Sequence, residues 1–540
     1  MHGLPGNWLK ISANSISRRS RGRGVPALSF VLGAAEVVFY PTLYYIWHCR
    51  DNGLKFIAAM FEKETYVRRR KTLLERMRAT GNEGKLGIAV FPGNVEAPQN
   101  YRGNDYKFRQ ESSFLYFWGI DEPGFAAVLD LDTGEEVLYG NDVDIDDIIW
   151  MGPQPSVASK GELVGVWKTA PYAGFAETVR KARETGRTVH FLPASRYYNT
   201  MLLSGLMGCP AENVRRTGPA DSRETTASLE LTKAVISMRL IKEACEIEEI
   251  DKACEIGWLM HTAARQECRP GAMEQDIVGK MEGVTISKGW GVSFTTILSQ
   301  NGETLHNHSH HQVITPGRML LIDAGAESNT HYASDFTRTL PCSGKFTQKQ
   351  RGIYDIVEEC NELAFRLASP GVPYREVHLA VAAKMLDGLK SLGLVTGRID
   401  DMVAEGIAGL FMPHGLGHNM GIDVHDMEDL GEDLVGYDPD QTRASMPGLG
   451  SLRMARKLKP GHVITDEPGI YFIPALISKW KKEGTDKGMV NYGAVEKYID
   501  FGGIRLEDDL LITEDGCRRL GPHRLPIKAD DVEAAMSAGL

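Results

Sequence analysis

A chain of 540 residues, 42% hydrophobic and 24% charged, has a globular composition and is too long for one ordinary core, so two domains of unequal size are expected. A formal net charge of −10 at pH 7 argues against nucleic acid as the main partner. The eight cysteines form no CxxC pair, which argues against a zinc knuckle or a disulfide framework and points to reduced thiols in the cytoplasm. No low-complexity tract or internal repeat is evident.

Residues 1–59 differ from the rest. Arg18, Arg19, Arg21 and Arg23 precede an apolar run from Val25 to Trp47 that is broken by Pro26, Glu36 and Pro41. The run is long enough for a membrane anchor and has the layout of a signal peptide, but its charge and prolines oppose both. The expectation is an upstream extension outside the fold, with Met60 opening the folded chain. A membrane is then no partner unless the 25–47 run is a genuine anchor.

From Met60, charged helical periodicity runs through Arg76, followed by a strand GIAVF that ends at Pro92-Gly93. AAVLDLD and TGEEVLY read as a hairpin around an Asp-Thr-Gly turn. KGELVGVWK and AGFAETVRKARE read as helices alternating with TVHFLP, which makes 60–232 an α/β layered domain. The polar stretch RRTGPADSRETTAS is the expected linker, and 233–540 a second α/β domain. In its first helix Ile241, Ala244, Cys245, Ile247 and Ile250 share a helical spacing, which places Cys245 in the core.

The chemistry gathers where apolar strands end in acids. MLLID delivers Asp323 and ASDFTRTLP delivers Asp335, two strands joined by a polar turn. HVITDEPGIYF ends a strand at Glu467 before a Pro-Gly turn, with Asp466 on the opposite face. In GGIRLEDDLLIT, alternation puts Arg505, Glu507 and Asp509 on one face and Ile504, Leu506 and Asp508 on the other. Clustered carboxylates repel unless something positive lies between them, and oxygen donors with one imidazole suit a divalent cation such as manganese.

The imidazole comes from FMPHGLGHNMGIDVHD, which carries His414, His418 and His425. This is no HExxH zinc helix. The intervening residues Gly415, Leu416 and Gly417 include no glutamate, and each glycine costs about 1 kcal/mol inside a helix. The segment reads as a loop of close backbone approach, with His418 as ligand and His414 and His425 free to meet a substrate. His308, His310, His311 and His331 read as exposed loop residues.

LHNHSHH, LIDAG, ASDFTRTLPCSGKFTQKQ, PHGLGHNMGIDVHD, DEPGIYF and GGIRLEDD together resemble the pita-bread metallopeptidases, in the Xaa-Pro aminopeptidase (aminopeptidase P) and prolidase branch. NDYKFRQESSFLYFWGIDEPG is similar to that branch's N-terminal domain, so the resemblance covers nearly everything after Met60. It implies an α/β (α+β) fold: a smaller N-terminal α/β domain, 60–232, followed by a pita-bread catalytic domain, 233–540. It implies two divalent ions, manganese by preference with cobalt or zinc allowed. Their ligands would be Asp323, Asp335, His418, Glu467 and Glu507, with Asp335 and Glu507 bridging both. Glu467 would also carry the catalytic proton. His306, His414 and His425 would face substrate, Tyr471 and Arg505 would support the centre, and Arg453 would match a prolidase arginine that grips a dipeptide carboxylate.

Two departures stand out. Eleven residues separate Asp323 from Asp335 where the family usually has ten, and Asp466 replaces a usually apolar residue. The expected activity is Xaa-Pro aminopeptidase on proline-containing peptides, by a cytoplasmic homo-oligomer (dimer or tetramer). Xaa-Pro dipeptidase (prolidase) is the alternative, and a non-catalytic peptide-binding module on the same fold is a remote third.

Overall fold

The computed structural model describes residues 60–81, 85–219 and 224–538. The 1–59 extension and the 25–47 run lie outside these residues. Among the described residues, no helix is long and apolar enough to cross a membrane.

The N-terminal lobe is a five-stranded sheet in the order β4-β3-β2-β1-β5, from β1 (Ile88–Pro92), β2 (Ala126–Asp130), β3 (Glu136–Tyr139), β4 (Thr169–Ala170) and β5 (Val189–His190). The β2–β3 hairpin forms at the expected Asp-Thr-Gly turn, with Asp130 Oδ1 accepting from the Thr133 amide. RQESSFLYFWG folds into the helix Ser112–Trp118, capped by the Glu111 carboxylate accepting from the Phe114 amide, and stopped by Gly119. Its Phe114, Phe117 and Trp118 are fully buried against the sheet, and they anchor the segment that follows.

The expected linker is not a free tether. Thr217–Gly218 (β6) pairs with Ala227–Ser228 (β7), and Ser228 caps the helix Leu229–Arg239 by accepting from the Leu231 amide. The boundary placed at 232/233 therefore falls inside a helix. From Met60 onward the described residues form one compact unit, held at the lobe junction by buried ionic groups. Arg69 lies against Glu243 and Glu246, while Arg239 and Lys242 flank Asp426.

The catalytic lobe shows a repeat that the sequence hides. Helices Ala244–Glu267 and Glu274–Lys288 pack as a pair, and so do Gln348–Leu367 and Tyr374–Ser391. Each pair turns through Pro-Gly, with Gly271 at φ +87° and Gly371 at φ +85°, conformations that suit glycine. Behind the first pair lie β8 (Gly291–Val292), β9 (Ile297–Ser299), β10 (Met319–Ala324), β11 (Ala326–Glu327) and β12 (Phe336–Pro341). Behind the second lie β13 (Val463–Asp466), β14 (Gly469–Tyr471), β15 (Gly503–Arg505), β16 (Asp508–Ile512) and β17 (Cys517–Arg519). The duplication lives in element order and backbone turns, which tolerate complete divergence of side chains.

Two readings need correction. Cys245 is only half-buried, Ile241 and Ala244 are exposed, and the buried face of the first helix carries Glu246, Ile250, Ala253, Cys254 and Gly257 instead. Glu246 turns inward because Arg69 and the Tyr332 hydroxyl meet it there. His331, read as exposed, is 0% exposed. His310 is half-buried, with Nδ1 at 3.1 Å from the Leu298 carbonyl, whereas His308 and His311 are exposed as expected.

Candidate metal centre

Asp323 ends β10 opposite Thr337 of β12, and Asp335 immediately precedes β12. The two acids thus enter one site from neighbouring strands, whatever the length of the turn between them. That turn is no tight hairpin: β11 leaves it to pair with β8. Pro468-Gly469 ends β13 and starts β14, and each strand keeps its own partner, β16 and β15 respectively. Glu467 and Glu507 lie at the resulting breaks, and Glu507 bridges to Thr337 of β12. The expected alternation holds. Arg505, Glu507 and Asp509 face the site, and Asp508 faces away, where it pairs with Arg338 and Arg519.

The glycine-rich loop behaves as its composition suggests. A Cβ on Gly417 would lie 2.1 Å from the Thr465 carbonyl oxygen, so only glycine lets the loop lie against β13. Thr465 then grips His418 twice: its amide donates to the His418 carbonyl at 3.0 Å and its Oγ1 accepts from the His418 amide at 3.1 Å. The imidazole Nδ1 donates to the Asn419 carbonyl at 3.1 Å. That tautomer leaves Nε2 bare, 3.5 Å from Asp335 Oδ2 and 3.8 Å from Glu467 Oε1.

Among the described residues, Asp335, His418 and Glu507 each bring a donor atom to within 4.8 Å of the others, a group that fits a metal ion. Asp335 Oδ1 is buried without a hydrogen-bond partner. Burial, with Asp323, Asp509 and Glu467 nearby, pushes the Asp335 carboxyl well above its usual range. Burial and the neighbouring Asp335, Glu467 and Asp323 do the same to Glu507, and burial raises Glu467 despite His418 and Arg505. Acids this close cannot all ionise without a cation among them, so the residues fit the group that the resemblance implies. The other two expected ligands border this trio: Glu467 beside His418, and Asp323 held by an ion pair with Arg505.

A second row of contacts supports the acids. Thr337 Oγ1 donates to Glu507 Oε2 at 2.6 Å and accepts from Arg505 Nε at 3.1 Å. Asp509 accepts from the Asp335 amide at 2.9 Å and from the Cys254 thiol at 3.4 Å. Arg505 Nη1 donates to the Tyr471 hydroxyl at 2.7 Å, and that hydroxyl donates to His414 Nε2 at 2.9 Å. His414 Nδ1 donates to the Gly415 carbonyl at 2.7 Å and lies 3.6 Å from Glu467 Oε2. Burial, then Arg505, lowers the His414 pKa to about 3, so its ring is neutral. Sequence reasoning gave no role to Thr337 or Thr465, and placed Asp509 on the face of Glu507 without assigning it one. The alternation in FTRT and EDDL carries the signal for the first and last.

His425 stacks edge-on against His418 at 4.2 Å between ring centres, and its side chain is 41% exposed. Arg453 Nη1 reaches both His425 Nδ1 and Glu428 Oε2 at 2.6 Å. His306 is exposed on the loop after β9, and partial desolvation of its ring at the cleft wall lowers its pKa. All three line one cleft of about 1120 Å³ that also holds Asp323, Asp335, His418, Glu467, Arg505 and Glu507 and continues to Pro193–Arg196 of the N-terminal lobe.

Residues 248–514 match metallopeptidase family M24, and residues 66–190 match the aminopeptidase P N-terminal domain. The Xaa-Pro aminopeptidase of Escherichia coli (strain K12) is 30% identical over 88% of this chain and 98% of its own. The human Xaa-Pro dipeptidase is 29% identical over 87% of this chain and 92% of its own. The structure of E. coli aminopeptidase P with the inhibitor Pro-Leu superposes with a TM-score of 0.69 at 30% identity, covering 89% of this chain and 99% of that one.

Proposed function

Because the chain belongs to metallopeptidase family M24, we propose that this hydrolase is an Xaa-Pro aminopeptidase, releasing the N-terminal residue from peptides with proline in second position. The observation that carries the choice is the cleft. At about 1120 Å³, running from the acids to Pro193–Arg196, it offers far more room than a dipeptide fills.

Asp323, Asp335, His418, Glu467 and Glu507 would hold two divalent cations, manganese by preference, with cobalt or zinc suited to the same donors. Bound there, the cations supply Lewis acidity that activates water and polarises the scissile carbonyl. Water adds to the carbonyl carbon of the first residue, and the bond to the proline nitrogen breaks. Glu467 takes the water's proton and passes it to that nitrogen. His414, 3.6 Å from Glu467, helps to hold the proton in line, and Tyr471 and Arg505 fix the His414 ring. His306 and His425 position the substrate around the proline ring, with Arg453 beside them. A tertiary amide has no N–H to grip, so shape at this ring replaces the usual backbone hydrogen bond.

Xaa-Pro dipeptidase is the second reading, favoured by Arg453, whose guanidinium could hold a dipeptide's carboxylate. Here Glu428 already meets that guanidinium. Offering Xaa-Pro and Xaa-Pro-Yaa-Zaa peptides with manganese decides the matter: release of Xaa from the longer peptide is expected, and cleavage of dipeptides alone would overturn the aminopeptidase reading. The third reading, a non-catalytic binding module, predicts no stoichiometric metal after dialysis.

A homo-oligomer, dimer or tetramer, completes the proposal. Its support is the helix Ile145–Met151, which buries none of its residues and leaves Trp150 86% exposed beside Ile145, Ile149 and Met151. A cytoplasmic location accords with the seven described cysteines, all free.

A further inference from the structure

The turn that makes the Asp323–Asp335 spacing unusual ends in a residue out of keeping with a surface loop. His331 has φ +66°, a left-handed conformation that a side chain adopts at a cost, and it is 0% exposed. Its Nδ1 lies 2.9 Å from Glu327 Oε2, and its Nε2 lies 2.7 Å from Asp121 Oδ2 of the N-terminal lobe. An imidazole can donate to both carboxylates only as the cation. The Trp290 ring closes over it at 4.6 Å, and Lys107 sits above Trp290 at 3.9 Å.

The contacts continue towards the cleft. Glu327 Oε1 accepts from Arg109 Nε at 3.3 Å. Arg109 Nη2 donates to the Ile422 carbonyl at 2.9 Å and to Asp423 at 3.4 Å. The turn itself touches the same segment, since the Ala333 amide donates to the Gly421 carbonyl at 2.8 Å. Residues 421–423 lead directly to His425, and Glu327, Arg109 and Asp423 line the cleft.

We propose that His331, held as an imidazolium between Asp121 and Glu327, is an inter-lobe clasp that positions the His425 loop through Glu327 and Arg109. His331 touches no reacting atom; it is a positioning residue. The inference rests on the reading of His425 as a substrate contact. Every charged neighbour has a place in it. Asp121 and Glu327 hold the proton on the ring. Arg109 opposes it, Lys107 faces the same acids from across Trp290, and Glu249 accepts from Thr330 at the back of the turn. Burial lowers the His331 pKa, but its hydrogen bonds to Asp121 and Glu327 outweigh it and leave the pKa raised. The clasp is therefore fully present below the ordinary histidine value near 6.5 and is lost as pH rises through the higher folded value.

The test is hydrogen–deuterium exchange on the full chain, with the native protein compared against His331→Gln and Asp121→Asn. His331→Gln should speed exchange of amides 419–427 and 105–112 at least about tenfold, because glutamine carries no charge and has both N–H donors on a single nitrogen, whereas the imidazolium meets the two acids from opposite ring nitrogens. It should raise KM for Xaa-Pro-Yaa-Zaa about fivefold or more while bound metal and kcat stay within about twofold. Asp121→Asn removes one of the two acids, so protection should disappear at a lower pH than in the native protein; should His331→Gln fail to fold, this variant carries the comparison. Unchanged exchange in a folded His331→Gln, or an unchanged pH of opening in Asp121→Asn, overturns the clasp. The exchange readout needs no substrate. If no Xaa-Pro peptide is cleaved, the functional reading falls and the clasp is still judged on exchange.

Discussion

Two sets of buried acids lie within this chain, and they are neutralised in opposite ways. At the lobe junction, burial raises the Asp426 carboxyl, but Arg239 and Lys242, at 2.7 and 2.9 Å, outweigh it and leave the pKa lowered. Glu243 behaves alike, with Arg69 and Arg68 outweighing its burial. At the candidate metal centre, burial and mutual repulsion leave Asp335, Glu467 and Glu507 raised even with the Arg505 guanidinium set among them. At the junction Asp426 and Glu243 are neutralised by the chain's own side chains, while buried Glu246 stays raised despite Arg69 and Lys242. The centre is balanced only when charge arrives from outside.

The sharpest way to break this comparison is to remove a donor from the centre. Glu507→Gln and His418→Ala should each lose stoichiometric metal after dialysis and lower kcat/KM on the order of 10³-fold or more, several kcal/mol of transition-state stabilisation. His414→Ala and His425→Ala should retain metal and lose on the order of 10²-fold in turnover. Elemental analysis beside initial rates reads both effects, and full metal retention in Glu507→Gln would remove that residue from the centre. At the junction the expected outcome is the reverse. Asp426→Ala strands Arg239 and Lys242 in the interior and should cost about 3–5 kcal/mol in urea unfolding, with metal content unchanged.

What the sequence disclosed follows the same division. The four acids and the histidine expected at the centre could be picked out because each ends an apolar strand or sits in a glycine-rich loop, patterns that span a few residues. The β2–β3 hairpin was legible for the same reason, whereas the helix Ser112–Trp118 was not anticipated as a helix. The junction was not. His331 meets Asp121 across 210 positions of sequence, and no periodicity in AESNTHYASD marks it as buried. Glu246 broke the amphipathic reading of its helix because a charge faces inward, and only the placement of Arg69 explains why that is tolerated. The repeat of helix pairs was hidden because its residues diverged while its turns did not.

The comparison also sets two opposite responses to pH, and these are its smallest expected effect. A lowered carboxyl such as Asp426 contributes stability that is present above the ordinary value of 3.8 and is lost as pH falls through its lower folded value. A raised carboxyl such as Asp335 works the other way. In metal-free protein, the folded state keeps a proton that the unfolded state releases above pH 3.8, so stability falls as pH climbs from there towards the folded value. Each unit of such a shift corresponds to about 1.4 kcal/mol. Thermal melts of dialysed protein should therefore move to lower temperature between mildly acid and neutral pH. Melts of manganese-loaded protein should stay level over that range, because the cation takes the proton's place. Asp335→Asn should flatten the metal-free curve and raise its neutral-pH melting temperature, since it deletes the repulsion at its source. A metal-free protein whose melting temperature instead rose towards neutrality would mean that these acids are already neutralised by partners of their own, as Asp426 and Glu243 are.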